Sequence, residues 1–321
     1  MLKGVRVWSS FGTLLMVANL FVACDGTMGS KAASNVQDSI PVQPVEKQDT
    51  ISKGKLITRL KDSAKQQVDT TGLIKKDSVL RVAKAEKRRI KDSVYKELDK
   101  LPKHIYFTFD DGPLKGSAAI DSIATARGIK VNAFLIGNHM HMSKGLKRDY
   151  QRYYDNPLVD CYNHSFTHAN NRFTTFYSNP VSAVADFEKN EQDLKLQHKI
   201  IRLPGRNIWV YDDVRRLDLQ SGASTADMLF ANGYKIYGWD VEWKIQGATG
   251  KPVQSVGEIY SRIRNYMRNK TSMEPNNVVL LMHDDMFQTK KGQALLSALI
   301  DTIQTSTDYK FEFMRDYPMR Y

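Results

Sequence analysis

From residue 104 onward, short β-prone runs alternate with helical stretches, and this alternation restricts the fold more than any other feature of the chain. "HIYFTF" precedes "AAIDSIATARG", "KVNAFLIG" follows, and "VSAVADFEKNEQDLKLQH" leads into "KIIRLPG". Later come "GYKIYGWDVEW", a helical stretch around "SVGEIYSRIRNYMRN", the run "NNVVLLMHD", and "GQALLSALIDTIQTS" before "KFEFM". Repeated strand-then-helix units predict an α/β fold with a parallel sheet or barrel, and such folds carry their sites at the carboxyl ends of the strands. A chain of 321 residues that is 41% hydrophobic can bury one substantial core there. No internal repeat is visible.

The segment before this pattern reads differently. Lys3 and Arg6 precede "FGTLLMVANLFVAC", an apolar run of signal-peptide length, so residues 1–23 are expected to be removed on export. Ala23 directly before Cys24 resembles the lipobox of bacterial lipoproteins, which implies lipidation of Cys24; an ordinary signal peptide with an incidental cysteine is the alternative. Cys161 is the only other cysteine, so stability rests on packing rather than on a disulfide. Residues 25 to about 55 are rich in Ser, Gly, Gln and Asp and read as a linker, whereas 75–100 place Val79, Val82, Ile90, Val94 and Leu98 amid charge, as an exposed helix would. The extension is therefore expected to be flexible and partly helical, with the division 1–23, 24–103 and 104–321.

The formal charge of +12 follows the same division. Residues 24–103 hold 18 Lys and Arg against 11 Asp and Glu, while 104–321 hold 27 against 24. A basic, tethered tail pairs more naturally with anionic lipid or envelope polymer than with nucleic acid, and solubility alone is the plainer reading.

The chemistry-bearing residues fall at strand ends. Asp110 and Asp111 close one strand in "TFDDGP", His283 closes another, and Arg202 and Asp240 lie in or after two more. Asp-Gly by itself is a turn signal. His164 and His168 in "HSFTH" are four apart, so on one helical turn both imidazoles would face the same ion; a carboxylate from another strand end would complete a two-His, one-carboxylate set. His139 and His141 in "GNHMHM" offer a weaker pair, and Cys161 reads as a small buried apolar residue.

These motifs, taken in chain order, resemble those of polysaccharide deacetylases of the NodB-homology type, carbohydrate esterase family 4. "TFDDGP" (108–113), "HSFTH" (164–168) and "LLMHD" (280–284) match the first, second and fifth motifs of that family. "RLPGRN" (202–207) resembles the third, although Gly205 or Arg206 stands where the family often has an aromatic, and "WDVEW" (239–243) resembles the fourth in compressed form. The resemblance spans about 104–321 and implies a distorted, partly open (β/α) barrel.

Residue by residue, it implies Asp111, His164 and His168 as ligands of a divalent metal and Asp110 as general base. Zinc suits such ligands, with cobalt or nickel tolerated. His283 is implied as general acid, since an amine leaves badly without a proton and imidazole titrates near ~6.5. Asp240 is its expected partner, with Glu242 the alternative two residues on, and Arg202 orients Asp110. Trp243 would line the sugar groove and Leu281 the acetyl-methyl pocket, or both simply pack in the core. A backbone amide in the Phe173–Tyr177 region is a further candidate to share the oxyanion.

The implied activity is removal of N-acetyl groups from an N-acetylglucosamine-containing polysaccharide by a monomeric envelope lipoprotein. O-acetyl esterase action on xylan or another glycan is the alternative. A glycosidase would place its two carboxyl groups at roughly 5 Å or more across the bond and would leave the histidines idle. A catalytically silent carbohydrate-binding lipoprotein would be free to lose Asp110 or His283, and both are present.

Overall fold

A computed structural model of the chain describes residues 76–247 and 249–319. The expected signal peptide, Cys24 and the linker after it lie outside the described residues. The first described element is helix α1 (Lys76–Asp99), which contains no Gly or Pro and carries ion pairs one turn apart, such as Arg89–Glu86 at 2.9 Å. Such pairs add only a few tenths of a kcal/mol each. Val79 and Val82 on it are exposed, as the sequence pattern suggested. Its last turn is tied to the body: the fully buried ammonium of Lys270 donates to Asp99 (2.6 Å), and Asn276 Nδ2 donates to the Leu98 carbonyl (2.6 Å). No helix among the described residues is long and apolar enough to cross a membrane.

The body is a curled, open half-barrel. Its strands are β1 (Lys103–Gly112), β2 (Val131–Leu135), β3 (Val159–Asn163), β4 (Ile200–Ile201), β5 (Trp209–Tyr211), β6 (Val214–Arg216), β7 (Lys235–Ile236) and β8 (Val241–Glu242). A two-residue hairpin, β9 (Ile245–Gln246) with β10 (Lys251–Pro252), stands apart, and β11 (Asn277–His283) and β12 (Tyr309–Phe311) complete the set. The sheet order is β6-β5-β7-β4-β3-β2-β1-β11-β8, with β12 also on β1. Within this sheet all pairings are parallel except those of β5 with β6 and with β7.

Period-two alternation sorts β1 between two cores. Ile105, Phe107 and Phe109 face the helices α2 (Ser117–Arg127), α8 (Val256–Asn269) and α9 (Lys290–Gln304) through one apolar cluster. Tyr106 joins an aromatic cluster of the concave face with Phe134, Tyr162, Trp209, Tyr211, Tyr237 and Tyr317, while Thr108 and Asp110, also buried, are the polar residues of that alternation toward its upper end. Helices α3 (Gly137–Met142), α4 (Lys144–Asp155), α5 (Phe173–Tyr177), α6 (Pro180–Asp193) and α7 (Ala223–Ala231) fill the remaining connections. Strand β3, the hairpin β5–β6 and helices α3, α4 and α7 went unread in the sequence. They are short or mostly polar, and tertiary packing rather than local pattern defines them.

Candidate active site

The carboxyl ends of β1, β3 and β11 converge at one rim. On β1, regular alternation would send Asp110 and Asp111 to opposite faces. A bulge prevents this: β1 pairs with β2 at Asp110↔Phe134 and next at Gly112↔Leu135, skipping Asp111, whose φ of 71° turns it back. Both carboxylates then reach His164 Nε2, Asp110 Oδ2 at 3.6 Å and Asp111 Oδ1 at 3.5 Å. Gly112 is needed beside them, because a Cβ there would lie 2.8 Å from Asp284 Oδ2 and 2.9 Å from a Leu135 methyl.

His164 follows β3 directly, but the expected helical turn to His168 is absent. Ser165 and His168 to Asn171 all have positive φ, from 47° to 69°, so the second motif is a loop with left-handed residues followed by a short 3₁₀ turn. Each such residue costs on the order of 1 kcal/mol or more and persists only where the surroundings dictate it. Asp186 on α6 dictates it here, accepting from the Phe166 and Thr167 amides (2.7 and 3.1 Å) and from Thr167 Oγ1 (2.8 Å). The two imidazoles meet through this loop, with centroids 5.3 Å apart, and His168 Nε2 lies 3.2 Å from Asp111 Oδ1.

Asp111, His164 and His168 offer three ligand atoms within 4.8 Å of one another. His164 Nδ1–H donates to the Arg202 carbonyl (2.8 Å) and His168 Nδ1–H to Asn171 Oδ1 (3.0 Å), which turns both Nε2 lone pairs toward Asp111. Burial holds the His164 imidazolium down, favouring the neutral ring. Burial pushes the Asp111 carboxyl up, but the neighbouring His168 and His164 outweigh it and leave the group below its ordinary value. Asp111 Oδ1 is buried with no hydrogen-bond partner. Two imidazole nitrogens and a carboxylate oxygen facing one point fit a divalent cation.

Asp110 is held separately. The fully buried Arg202 donates through Nη1 to Asp110 Oδ1 (2.8 Å) and to Thr108 Oγ1 (2.7 Å), while its Nε and Nη2 donate to the carbonyls of Tyr237 and Gly238. Burial pulls the guanidinium down from its ordinary value and Asp110 opposes that pull. Across the sheet, register places His283 on β11 directly opposite Asp110, and Leu281 opposite Thr108 on the same face.

Two further expectations, for Asp240 and Trp243, are revised. Asp240 does not support His283: it lies beside Val279, four residues or about 13 Å earlier along β11, and accepts from the backbone amides of Val279 (2.9 Å) and Met273 (2.7 Å). Glu242, paired with Leu281, is the nearer acid of the fourth motif. Trp243 lines no groove; it is fully buried among Phe287 and the outer core, with Nε1–H donating to the Gln254 carbonyl (2.9 Å). The weaker histidine pair splits, His141 meeting Asp193 and His139 the Asp111 carbonyl. Leu281 is buried, and α5 reaches the site through Phe173, whose ring stands edge-on to His168 at 5.5 Å. Cys161 is a half-buried free thiol packed against the outer core.

Sequence reasoning passed over Asp284. It is fully buried behind Gly112, accepts from Ser117 Oγ (2.8 Å) and Tyr153 OH (2.9 Å), and is pushed up to about 7, chiefly by burial. The fifth motif contained it, but nothing local foretold two hydroxyl donors from α2 and α4.

Residues 97–213 match the family model described as polysaccharide deacetylase, a stretch that includes Asp110, Asp111, His164, His168 and Arg202 and ends before His283. Over those residues the chain is similar to the polysaccharide deacetylase family. Similar solved structures include a CE4 esterase of Streptococcus mutans (18% identity, 68% of this chain and 90% of that chain, TM-score 0.49). Another is the catalytic domain of a peptidoglycan N-acetylglucosamine deacetylase from Eubacterium rectale (20% identity, 68% and 92%, TM-score 0.49). A third is a polysaccharide deacetylase from Bacillus cereus (22% identity, 68% and 95%, TM-score 0.46). No match was found among curated protein sequences.

Proposed function

We propose that the protein hydrolyses N-acetyl groups from an N-acetylglucosamine-containing polysaccharide, using a divalent metal held by Asp111, His164 and His168. The observation that carries this reading is the separation of two adjacent carboxylates, one turned by a bulge into a ligand set and the other held by Arg202. When bound, the cation would supply Lewis acidity toward the acetyl carbonyl and the attacking water. Asp110 takes the proton from that water at its Oδ2, the oxygen that does not accept from Arg202 Nη1. Arg202, whose Nη1 also donates to Thr108, fixes the carboxylate so that it stays a base rather than a second oxygen ligand. His283, facing Asp110 across the β1–β11 pairing, donates a proton to the leaving nitrogen. The C–N bond breaks, and the products are acetate and the free amine. Zinc is the metal we favour for this donor set, with cobalt and nickel as substitutes.

The cellular setting we propose rests on the sequence before residue 76: export, lipidation at Cys24 and attachment to the bacterial envelope, with the protein acting as a monomer on an acetylated glycan within reach. Incorporation of labelled palmitate into the full chain, lost in Cys24→Ala, tests the anchor. Acetate release from acetylated glycans of several backbones, with zinc, cobalt or nickel added, tests the reaction. Release without new amine marks an O-acetyl esterase. If no substrate yields acetate, and Asp110→Asn and His283→Ala behave as wild type throughout, the enzymatic reading is lost.

A further inference from the structure

We propose that His139 is a positioning residue for Asp111, its ring Nδ1–H replacing the strand hydrogen bond that the β1 bulge removes. The inference rests on the reading of Asp111 as a metal ligand. Because the β1–β2 register passes from Asp110↔Phe134 to Gly112↔Leu135, the Asp111 carbonyl has no place in that ladder. A backbone acceptor left unmet beside a buried site costs about 1–3 kcal/mol. His139 Nδ1 lies 2.8 Å from that oxygen. A carbonyl can only accept, so the ring nitrogen donates.

The ring arrives there by a short, constrained path. Ile136 N–H donates to the Gly112 carbonyl (2.7 Å), Asn138 N–H to the Phe166 carbonyl (3.0 Å) and His139 N–H back to Ile136 (3.1 Å). Gly137 lets this segment pass, since a Cβ there would fall 2.4 Å from Asn190 Oδ1 and 2.7 Å from the Phe166 ring. The segment is thus sewn to both ligand-bearing loops, the bulge and the one after β3. Asp111 sits at φ 71°, where a non-glycine residue is strained, and the carbonyl that His139 grips belongs to that same residue. Rotating the Asp111 peptide would swing Oδ1 away from His164 and His168. His139 is not in the ligand cluster itself, and its role is to hold the geometry of one that is.

The atom matters more than the ring. An Asn amide nitrogen at this position sits at the same branch point as histidine Nδ1, whereas a Gln amide stands one bond farther out and a Phe ring has no donor. The test uses the metal-stripped full chain, zinc titration by calorimetry, and the visible spectrum of the cobalt form. Expected is a zinc Kd raised about tenfold in His139→Phe and His139→Gln, with His139→Asn close to wild type. The cobalt spectrum should shift with the same ranking. Wild-type zinc affinity in His139→Phe, or equal recovery by Gln and Asn, overturns the inference and leaves the deacetylase reading intact. A wild-type chain that binds no zinc overturns both.

Discussion

The two halves of the rim are built to different standards. On the β1–β3–β4 side the functional groups have fixed partners: Arg202 donates from three nitrogens, His164 and His168 each give up one ring proton, and Asp186 braces the loop between them. On the β8–β11 side His283 Nδ1 is buried without a hydrogen-bond partner, Asp240 has turned to backbone amides, and Trp243 has gone into the core. On the proposed reading the first half would need rigidity, because a cation tolerates little error in ligand position, and the second half would face the leaving group.

Four measurements would break or sharpen that contrast. Asp110→Asn should lower kcat by about 10²–10⁴-fold while leaving zinc affinity nearly unchanged; a matching loss of zinc would make Asp110 a ligand and erase the division of labour. Arg202→Leu should cost about 3–5 kcal/mol in denaturant unfolding, because it leaves Asp110 buried and unpaired. A cost under 1 kcal/mol would show the first half to be looser than its hydrogen bonds suggest. Trp243→Phe should cost about 1–2 kcal/mol with KM little changed; a raised KM with full stability would return Trp243 to the sugar groove.

The smallest effect concerns Asp284. Its folded value of about 7 lies above that of an unfolded carboxyl, so between roughly pH 4 and 7 the native state binds more protons and stability falls as pH rises. Asp284→Asn removes that dependence. Its unfolding free energy relative to wild type, measured by denaturant, should therefore rise from pH 5 to pH 8 by an amount on the order of 2 kcal/mol. A flat difference would mean that Ser117 and Tyr153 accommodate the charge fully.

The same contrast explains what could be read from residues alone. The histidine pair was legible in the spacing of "HSFTH", whereas Asp111 in "TFDDGP" was singled out only by the family resemblance. The bulge that lets both aspartates share one side was not legible, because it depends on β2 pairing with β1 out of step. "WDVEW" misled for the opposite reason: its acids and aromatics alternate as a strand should, but only the register with β11 decides that Asp240 falls beside Val279 and Trp243 outside. Likewise the four-residue histidine spacing suggested a helix, and Asp186, some twenty residues on, made it a loop. The alternation of strands and helices survived because it reports burial of whole faces rather than the orientation of single side chains.

The clasp that Lys270 and Asn276 close on the last turn of α1 gives the molecule two poles. That clasp lies at the amino ends of β1 and β11, and the reactive rim lies at their carboxyl ends, some ten residues or about 33 Å away along β1. A rod of 24 helical residues, about 36 Å long, is thereby hinged to the back of the domain. On the tethered reading proposed above, the described helix would join the domain at the end away from the substrate.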